Sequence, residues 1–337
     1  MTATAAPADI PEFARRYPNL ADAQLGAHAV EASDEFFGAK ARLLKPEPPV
    51  FEAGRYDAHG KWMDGWETRR RREPGHDHCV VRLAARGVLH GVDIDTSHFT
   101  GNYPPAASLE ACLSDHESAA DGAWVQIVPH VALGPSAHHF VAVDHPHPVS
   151  HLRLHIWPDG GVARLRAYGS VAFDWSAVDR DELLDLGALL HGGRAVACND
   201  AHFGVPVNML KPGRAPNMGD GWETRRRREP GFDWCVLALG HPGEIRRIEI
   251  DTNHFKGNFP ARCSINAGLL PPGLPDDAAV AQAMHWPVLL PEQAMAADSN
   301  HVFDSAIAAL GSVSHVRLNL HPDGGVSRLR LFGRAAG

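Results

Sequence analysis

Cysteine is scarce in this chain. Its 337 residues hold five (Cys79, Cys112, Cys198, Cys235, Cys263), an odd number with no C-x-x-C pair, which argues against a disulfide framework and against a zinc ribbon. Long apolar runs are missing as well, since none approaches the roughly 18 residues of a membrane span. The N-terminal stretch "MTATAAPADIPEFARRYPNL" has no basic-then-apolar export pattern. A reducing cytoplasm, with no membrane partner, is therefore the expected setting. Basic residues are outnumbered, 32 to 40, for a net charge of −8, which counts against a nucleic-acid partner. The sequence also lacks a G-x-S-x-G nucleophile elbow, a P-loop and a G-x-G-x-x-G fingerprint, so acyl-serine, nucleotide-phosphate and dinucleotide chemistry have no foothold.

What the chain does contain is a large repeat. "DGWETRRRREPG" occurs verbatim at Asp64–Gly75 and at Asp220–Gly231. Around it, "HAVEASDEFFGAKARLLKP" matches "RAVACNDAHFGVPVNMLKP", "VDIDTSHFTGNYP" matches "IEIDTNHFKGNFP", and "VSHLRLHIWPDGGVARLRAYG" matches "VSHVRLNLHPDGGVSRLRLFG". The order is kept and the period is far longer than that of a solenoid, so one whole domain has been duplicated and fused. The copies differ between Lys-Pro and Asp-Gly-Trp, where the first has residues 47–63 and the second only residues 213–219.

Within each copy the patterning is that of strands. "CVVRLAA" and "CVLALG" are short apolar runs, and "HGVDIDT" and "RRIEIDT" alternate with period two. "SHLRLHIWPDGGVARLRAYG" reads as a hairpin about a Pro-Asp-Gly-Gly turn. With 32 Gly and 26 Pro, each half is expected to be mainly β, a two-sheet sandwich with jelly-roll connections. The expected division is an N-terminal segment over 1–18, a first repeat over 19–172, a linker over 173–192 with a short helix from Asp179 to Leu190, and a second repeat over 193–337.

Two constellations recur. On a strand, "WETRRRRE" would place Glu67, Arg69, Arg71 and Glu73 on one face, with Trp66, Thr68, Arg70 and Arg72 on the other. The second copy repeats this with Glu223, Arg225, Arg227 and Glu229. Guanidinium forks suit a small carboxylate ligand, although an ion-pair ladder with neighbouring carboxylates, or a subunit interface, also accounts for the pattern. In "IDTSHFTGNYP" and "IDTNHFKGNFP", Asp95 and Asp251 close a strand, His98 and His254 follow on a loop, and Asn102 and Asn258 lie at the turn. That supplies an acceptor, a proton shuttle and a neutral amide for work on ureas or amides. The alternative is an aspartate that caps a turn beside a half-buried histidine. Among 22 histidines, the groups His76–His78, His138–His139 and Asp144–His147 invite a metal reading. However, the second copy replaces His76 and His78 with Phe232 and Trp234, and no spaced ligand set appears.

Both paired motifs closely resemble the allantoicase family, from about Asn19 to Gly333. That resemblance implies tandem jelly-roll sandwiches of the galactose-binding-like type, allantoate as a small-molecule substrate, and its hydrolysis to (S)-ureidoglycolate and urea in purine degradation. It also implies a homo-oligomer. For that chemistry the candidate catalytic residues are Asp95 with His98, Asp251 with His254, and Glu67 and Glu223. The candidate substrate-binding residues are Arg69, Arg71 and Asn102, and Arg225, Arg227 and Asn258. No cofactor is expected, and a divalent metal is left open. The rival from another class is a tandem small-ligand binding protein without catalysis, because a sandwich of this kind does not fix function.

Overall fold

The computed structural model describes residues 10–119, 122–179 and 181–337. The chain divides into two compact units, Met1–Ala172 and Phe173–Gly337, each a jelly-roll β-sandwich. In the first, β1 (His28–Ala32) is followed by the short pairs β2 (Tyr56–Asp57) with β3 (Gly60–Lys61). Next come β4 (Trp66–Glu67), β5 (Asp77–Asp95), β6 (Ala106–Cys112) and β7 (Val125–Ala132). The unit closes with β8 (His138–Ala142), β9 (Val149–Trp157), β10 (Gly161–Val162) and β11 (Arg164–Val171).

The organising element is β5. The two apolar stretches read from sequence as separate runs form one strand of 19 residues. Its first half, Asp77–Arg82, lies between β1 and β9, in the order β1-β5-β9-β6-β7. Its second half, Gly87–Asp95, lies between β11 and β8. The neighbours change where the register to β9 breaks between Arg82 and Gly87. A Cβ at Gly87 would lie 2.4 Å from Leu20 Cδ1 and 2.7 Å from Ser170 O, so the bend admits only glycine. Alternate residues of both halves meet in a single core that includes Cys79, Val81 and Ile94 from β5, Leu152, Leu154 and Ile156 from β9, Leu109 from β6 and Leu165 from β11. Burying each of the larger side chains contributes about 1.5–3 kcal/mol.

The hairpin expected about Pro-Asp-Gly-Gly is not formed. β9 pairs with β5 and β6, and β11 pairs with the far half of β5. The connection carries β10, which pairs with β4 in the register Gly161↔Glu67 and Val162↔Trp66. The turn residues do reverse the chain, but the two strands they join belong to opposite ends of β5.

The second unit repeats this plan. β12 (Leu184–Asp185), β13 (Arg194–Cys198), β14 (Trp222–Glu223) and β15 (Asp233–Asp251) precede β16 (Arg262–Gly268) and β17 (Val288–Ala294). They are followed by β18 (Asn300–Phe303), β19 (Val313–His321), β20 (Gly325–Val326) and β21 (Arg328–Ala335). The 19-residue β15 takes β13 and β19 on its first half, and β21 and β18 on its second. The helix expected over Asp179–Leu190 is absent among the described residues, and Arg180 lies outside them. That stretch instead holds β12, paired with Phe332 and Gly333 of β21, and a 3-10 turn at Leu189–His191. The buried Asp185 accepts the amides of Leu331 (2.9 Å) and Gly187 (3.1 Å), as Asn19 accepts those of Ala167 (2.8 Å) and Ala21 (3.1 Å) in the first unit. These residues are edge structure of the second sandwich rather than a free linker. Of the segment before residue 19, a helix at Glu12–Arg16 packs Phe13 against Tyr168 and Phe140.

Candidate active site

Four connections meet at one end of each sandwich. In the first they are residues 33–38, 64–77, 95–104 and 158–162. Gly38 bridges Glu67 through paired backbone bonds, the Thr68 amide donates to Gly160 O, and the Gly161 amide donates to Asn102 O. Phe99, fully buried, fills the space beside Gly65 and Gly161.

The head of the duplicated motif is a clamp. Asp64 is buried and accepts Arg164 Nη2 and Lys45 Nζ, each at 2.7 Å. The Arg164 side chain is 0% exposed and also donates to the carbonyls of Asp64 (2.8 Å), Ala163 (2.7 Å), Arg42 (3.2 Å) and Glu47 (3.0 Å). In the second copy Asp220 accepts Arg328 and Lys211, each at 2.6 Å. Burial pushes the Asp64 and Asp220 carboxyls up, but these cations outweigh it and hold both below the usual aspartate range.

The arginine run is not a strand. β4 ends at Glu67 because the next donors go elsewhere. Thr68 bonds to Gly160, and the Arg69 and Arg71 amides bond to the carboxylates of Asp34 (2.9 Å) and Asp159 (2.7 Å). The expected two-faced alternation is therefore replaced by a turn wound around aspartates. Arg69 Nε donates to Asp34 Oδ2 at 2.9 Å, and Arg71 Nη1 donates to Asp77 Oδ1 at 2.7 Å. Arg225 and Arg227 repeat these bonds with Asp200 (2.7 Å) and Asp233 (3.0 Å). Asp34 and Asp200 feel burial first, yet their arginine contacts hold both below the ordinary range. The pairs differ in what they leave available. Arg69 remains 65% exposed with its Nε fixed, so its terminal Nη groups face solvent as a positioned fork. Arg71 is half-buried. In the second copy this surface is a cleft of about 620 Å³ lined by Asp200, His202, Phe203, Arg225–Arg228, Glu229 and Asp233. Glu223 and Asn258 are not among its lining residues.

Glu67 and Asn102 do come together. Asn102 Nδ2 donates to Glu67 Oε1 at 2.7 Å, and Asn258 makes the same bond to Glu223. Both glutamates are buried, with Glu67 at 9% exposure. Burial pushes the Glu67 carboxyl above the usual glutamate range, and Asp57 adds to this, against the opposing Asn102 bond and the Arg42 charge.

Asp95 and His98 stay apart. Asp95 Oδ1 caps the turn by accepting the Ser97 amide at 2.7 Å, while its Oδ2 is buried with no partner. His98 sits in the left-handed region at φ 71°, an uncommon position for a non-glycine residue. That geometry sends Nε2 to Pro49 O at 3.1 Å. Asp251 and His254 behave alike: the Asn253 amide bonds to Asp251 at 2.8 Å, and His254 Nε2 bonds to Ala215 O at 2.8 Å. Among the described residues no hydrogen bond joins Asp95 to His98 or Asp251 to His254. Nor do three or more His, Cys, Asp or Glu converge there in metal-holding geometry. His76 instead bonds to His155 at 2.9 Å, and His138 bonds to Asp93 at 2.8 Å.

Sequence reading did not single out Asp34, Asp77 and Asp200, Asp233, which fix the arginines, or the Asp64–Arg164 clamp. A signal was present: each of these residues recurs at the matching place in both copies.

The architecture and the sites together define the class: a fused pair of β-sandwiches, each presenting an arginine-bearing turn and a buried glutamate–asparagine pair at one end. The allantoicase repeat model matches residues 18–172 and 184–336. The chain is 60% identical to probable allantoicase 2 of Burkholderia pseudomallei over 97% of each chain, and 57% identical to a probable allantoicase of Ralstonia nicotianae over 96% of each. The crystal structure of allantoicase from Saccharomyces cerevisiae superimposes with a TM-score of 0.77 at 33% identity, covering 94% of this chain and 92% of that one. The chain belongs to the allantoicase family.

Proposed function

We propose that this protein hydrolyses allantoate to (S)-ureidoglycolate and urea, with the glutamate–asparagine pair as its acid/base centre. Family membership over nearly the whole length supports the activity. The observation that carries the chemistry is the buried Glu67 carboxyl, whose Oε1 accepts Asn102 Nδ2 at 2.7 Å and whose pKa burial raises. Allantoate bears one carboxylate and two ureido arms on a single carbon. The Nη fork of Arg69, held by Asp34, binds the carboxylate in two-pronged fashion. Protonated Glu67 gives its proton to the departing ureido nitrogen as its bond to the central carbon breaks. The lone pair of the remaining ureido nitrogen fills the vacancy, forming an iminium. Water then adds to that carbon and returns its proton to Glu67. Proton transfer of this kind contributes about 10²–10⁴-fold. His98 and His254 keep a supporting role as anchors of the loop that carries the asparagine. A cytoplasmic homo-oligomer belongs to the same proposal.

The test is urea and ureidoglycolate release from allantoate by the purified full chain, before and after chelation. Equal release of both products, unaffected by chelator, is expected. Heat of binding without urea would favour the non-catalytic binding protein, and loss that a divalent ion restores would bring a metal into the site.

A further inference from the structure

The two copies carry the same glutamate–asparagine pair under different roofs. In the first, residues 47–63 form a covering loop whose tip is the hairpin β2–β3, in the register Tyr56↔Lys61 and Asp57↔Gly60. The loop is fastened at many points. The His59 amide donates to Asp57 Oδ1 at 2.9 Å, and Lys61 Nζ donates to Ala53 O at 2.7 Å. The Arg55 guanidinium lies 3.8 Å from the centre of the Trp62 ring, and Arg42 lies 5.4 Å from it. On one flank Phe51 stacks on His98 at 5.7 Å, beside the bond from His98 Nε2 to Pro49 O. On the other flank His59 meets Phe36 edge-on at 4.3 Å, and the Arg69 guanidinium lies 5.2 Å from the same ring. The loop thus spans from the connection bearing Asn102 to the connection bearing Asp34. The second copy has only residues 213–219 there. Its Asn258 amide meets Met218 Sδ at 3.5 Å, and no aspartate or histidine stands where Asp57 and His59 do.

We infer that turnover takes place in the first repeat, and that the hairpin Tyr56–Lys61 completes its site, with Asp57 as a positioning residue. This inference rests on the allantoate reading and goes beyond it by assigning the working half. Two charges act on the Glu67 carboxyl: Arg42, from the 3-10 turn Lys40–Leu44, lowers its pKa, and Asp57 raises it. Asn102 is neutral. A like charge disfavours ionisation, so removing Asp57 leaves Glu67 easier to ionise. An acid that must be protonated loses activity as pH rises through its pKa, so Asp57→Asn moves the alkaline limb of the kcat/KM profile to lower pH.

The experiment follows urea release by the full chain and its Glu67→Gln and Asp57→Asn variants, with thermal midpoints as the check on folding. Glu67→Gln is expected to leave about 1% or less of the native kcat. A residue of about half would show a working site in each repeat, and near-native turnover would put catalysis in the second; either overturns the assignment. Asp57→Asn is expected to shift the alkaline limb downward at an unchanged midpoint. A stationary limb would overturn the role of the hairpin. Absence of urea release by the native chain would instead sink the allantoate reading, before either variant is compared.

Discussion

Replacing Arg164 with methionine keeps the length of the side chain and removes the guanidinium from the clamp beneath the first site. Five hydrogen bonds disappear: one to the Asp64 carboxylate and four to the carbonyls of Asp64, Ala163, Arg42 and Glu47. Breaking a buried ion pair costs about 3–5 kcal/mol when the remaining charge is left uncompensated. Asp64 still has Lys45 at 2.7 Å, which places the loss near the lower end, about 3 kcal/mol. For a unit of this size each kcal/mol shifts the midpoint by about 2–4 °C, so the first repeat is expected to melt roughly 6–12 °C earlier. Calorimetry of the full chain reads the shift. Hydrogen exchange locates it, with faster exchange at residues 40–47 and 64–67 than at the matching residues of the second repeat. Lys45→Met is the comparison, since its side chain is 42% exposed and such a partner contributes about 1 kcal/mol or less. A fall of under about 3 °C for Arg164→Met, or an equal fall for Lys45→Met, would refute the clamp.

Two further outcomes follow from the same geometry. Arg69→Lys exchanges a fork for a point charge and is expected to lower kcat/KM for allantoate roughly ten- to hundred-fold, mainly through KM. An unchanged KM would show that the carboxylate binds elsewhere. Burial pushes the Cys79 and Cys263 thiols up to about 12 and holds Cys235 well above its usual value. In the native chain at neutral pH, mass spectrometry after alkylation should therefore find the half-buried Cys198 modified first, and early labelling of the other three would contradict the packing.

The duplication and the β character of each half were legible because repetition and period-two alternation are properties of sequence itself. Pairing was not. The Pro-Asp-Gly-Gly residues announce a reversal, but which strand receives β9 and β11 depends on β5 lying between them, a long-range fact. The arginine run misled for a related reason. Alternation assumes that the backbone amides go to a neighbouring strand, and here they go to Asp34 and Asp159, far away in sequence. Glu67 and Asn102 were both visible as candidates, yet their direct contact depends on Gly38 and Gly161 bracing β4 from either side. Asp95 and His98 are near in sequence, and it is the left-handed backbone at His98 that turns the ring away. The helix expected at 179–190 lost to Asp185, whose carboxylate is engaged by the amides of Leu331 in β21 and of Gly187.

The bent strand β5 has a consequence for how this protein forms and comes apart. Since one continuous strand supplies the hydrogen-bonding partners of β1 and β9 at one end and of β8 and β11 at the other, neither layer of the sandwich can detach while the other stays whole. Each repeat is in this sense indivisible, a single cooperative unit whose smallest heritable piece is the entire sandwich. A gene that copied half of it would encode two unpaired edges, whereas a gene that copied all of it encodes a second self-sufficient body, free to keep the same turn and glutamate with a connection of different length beside them.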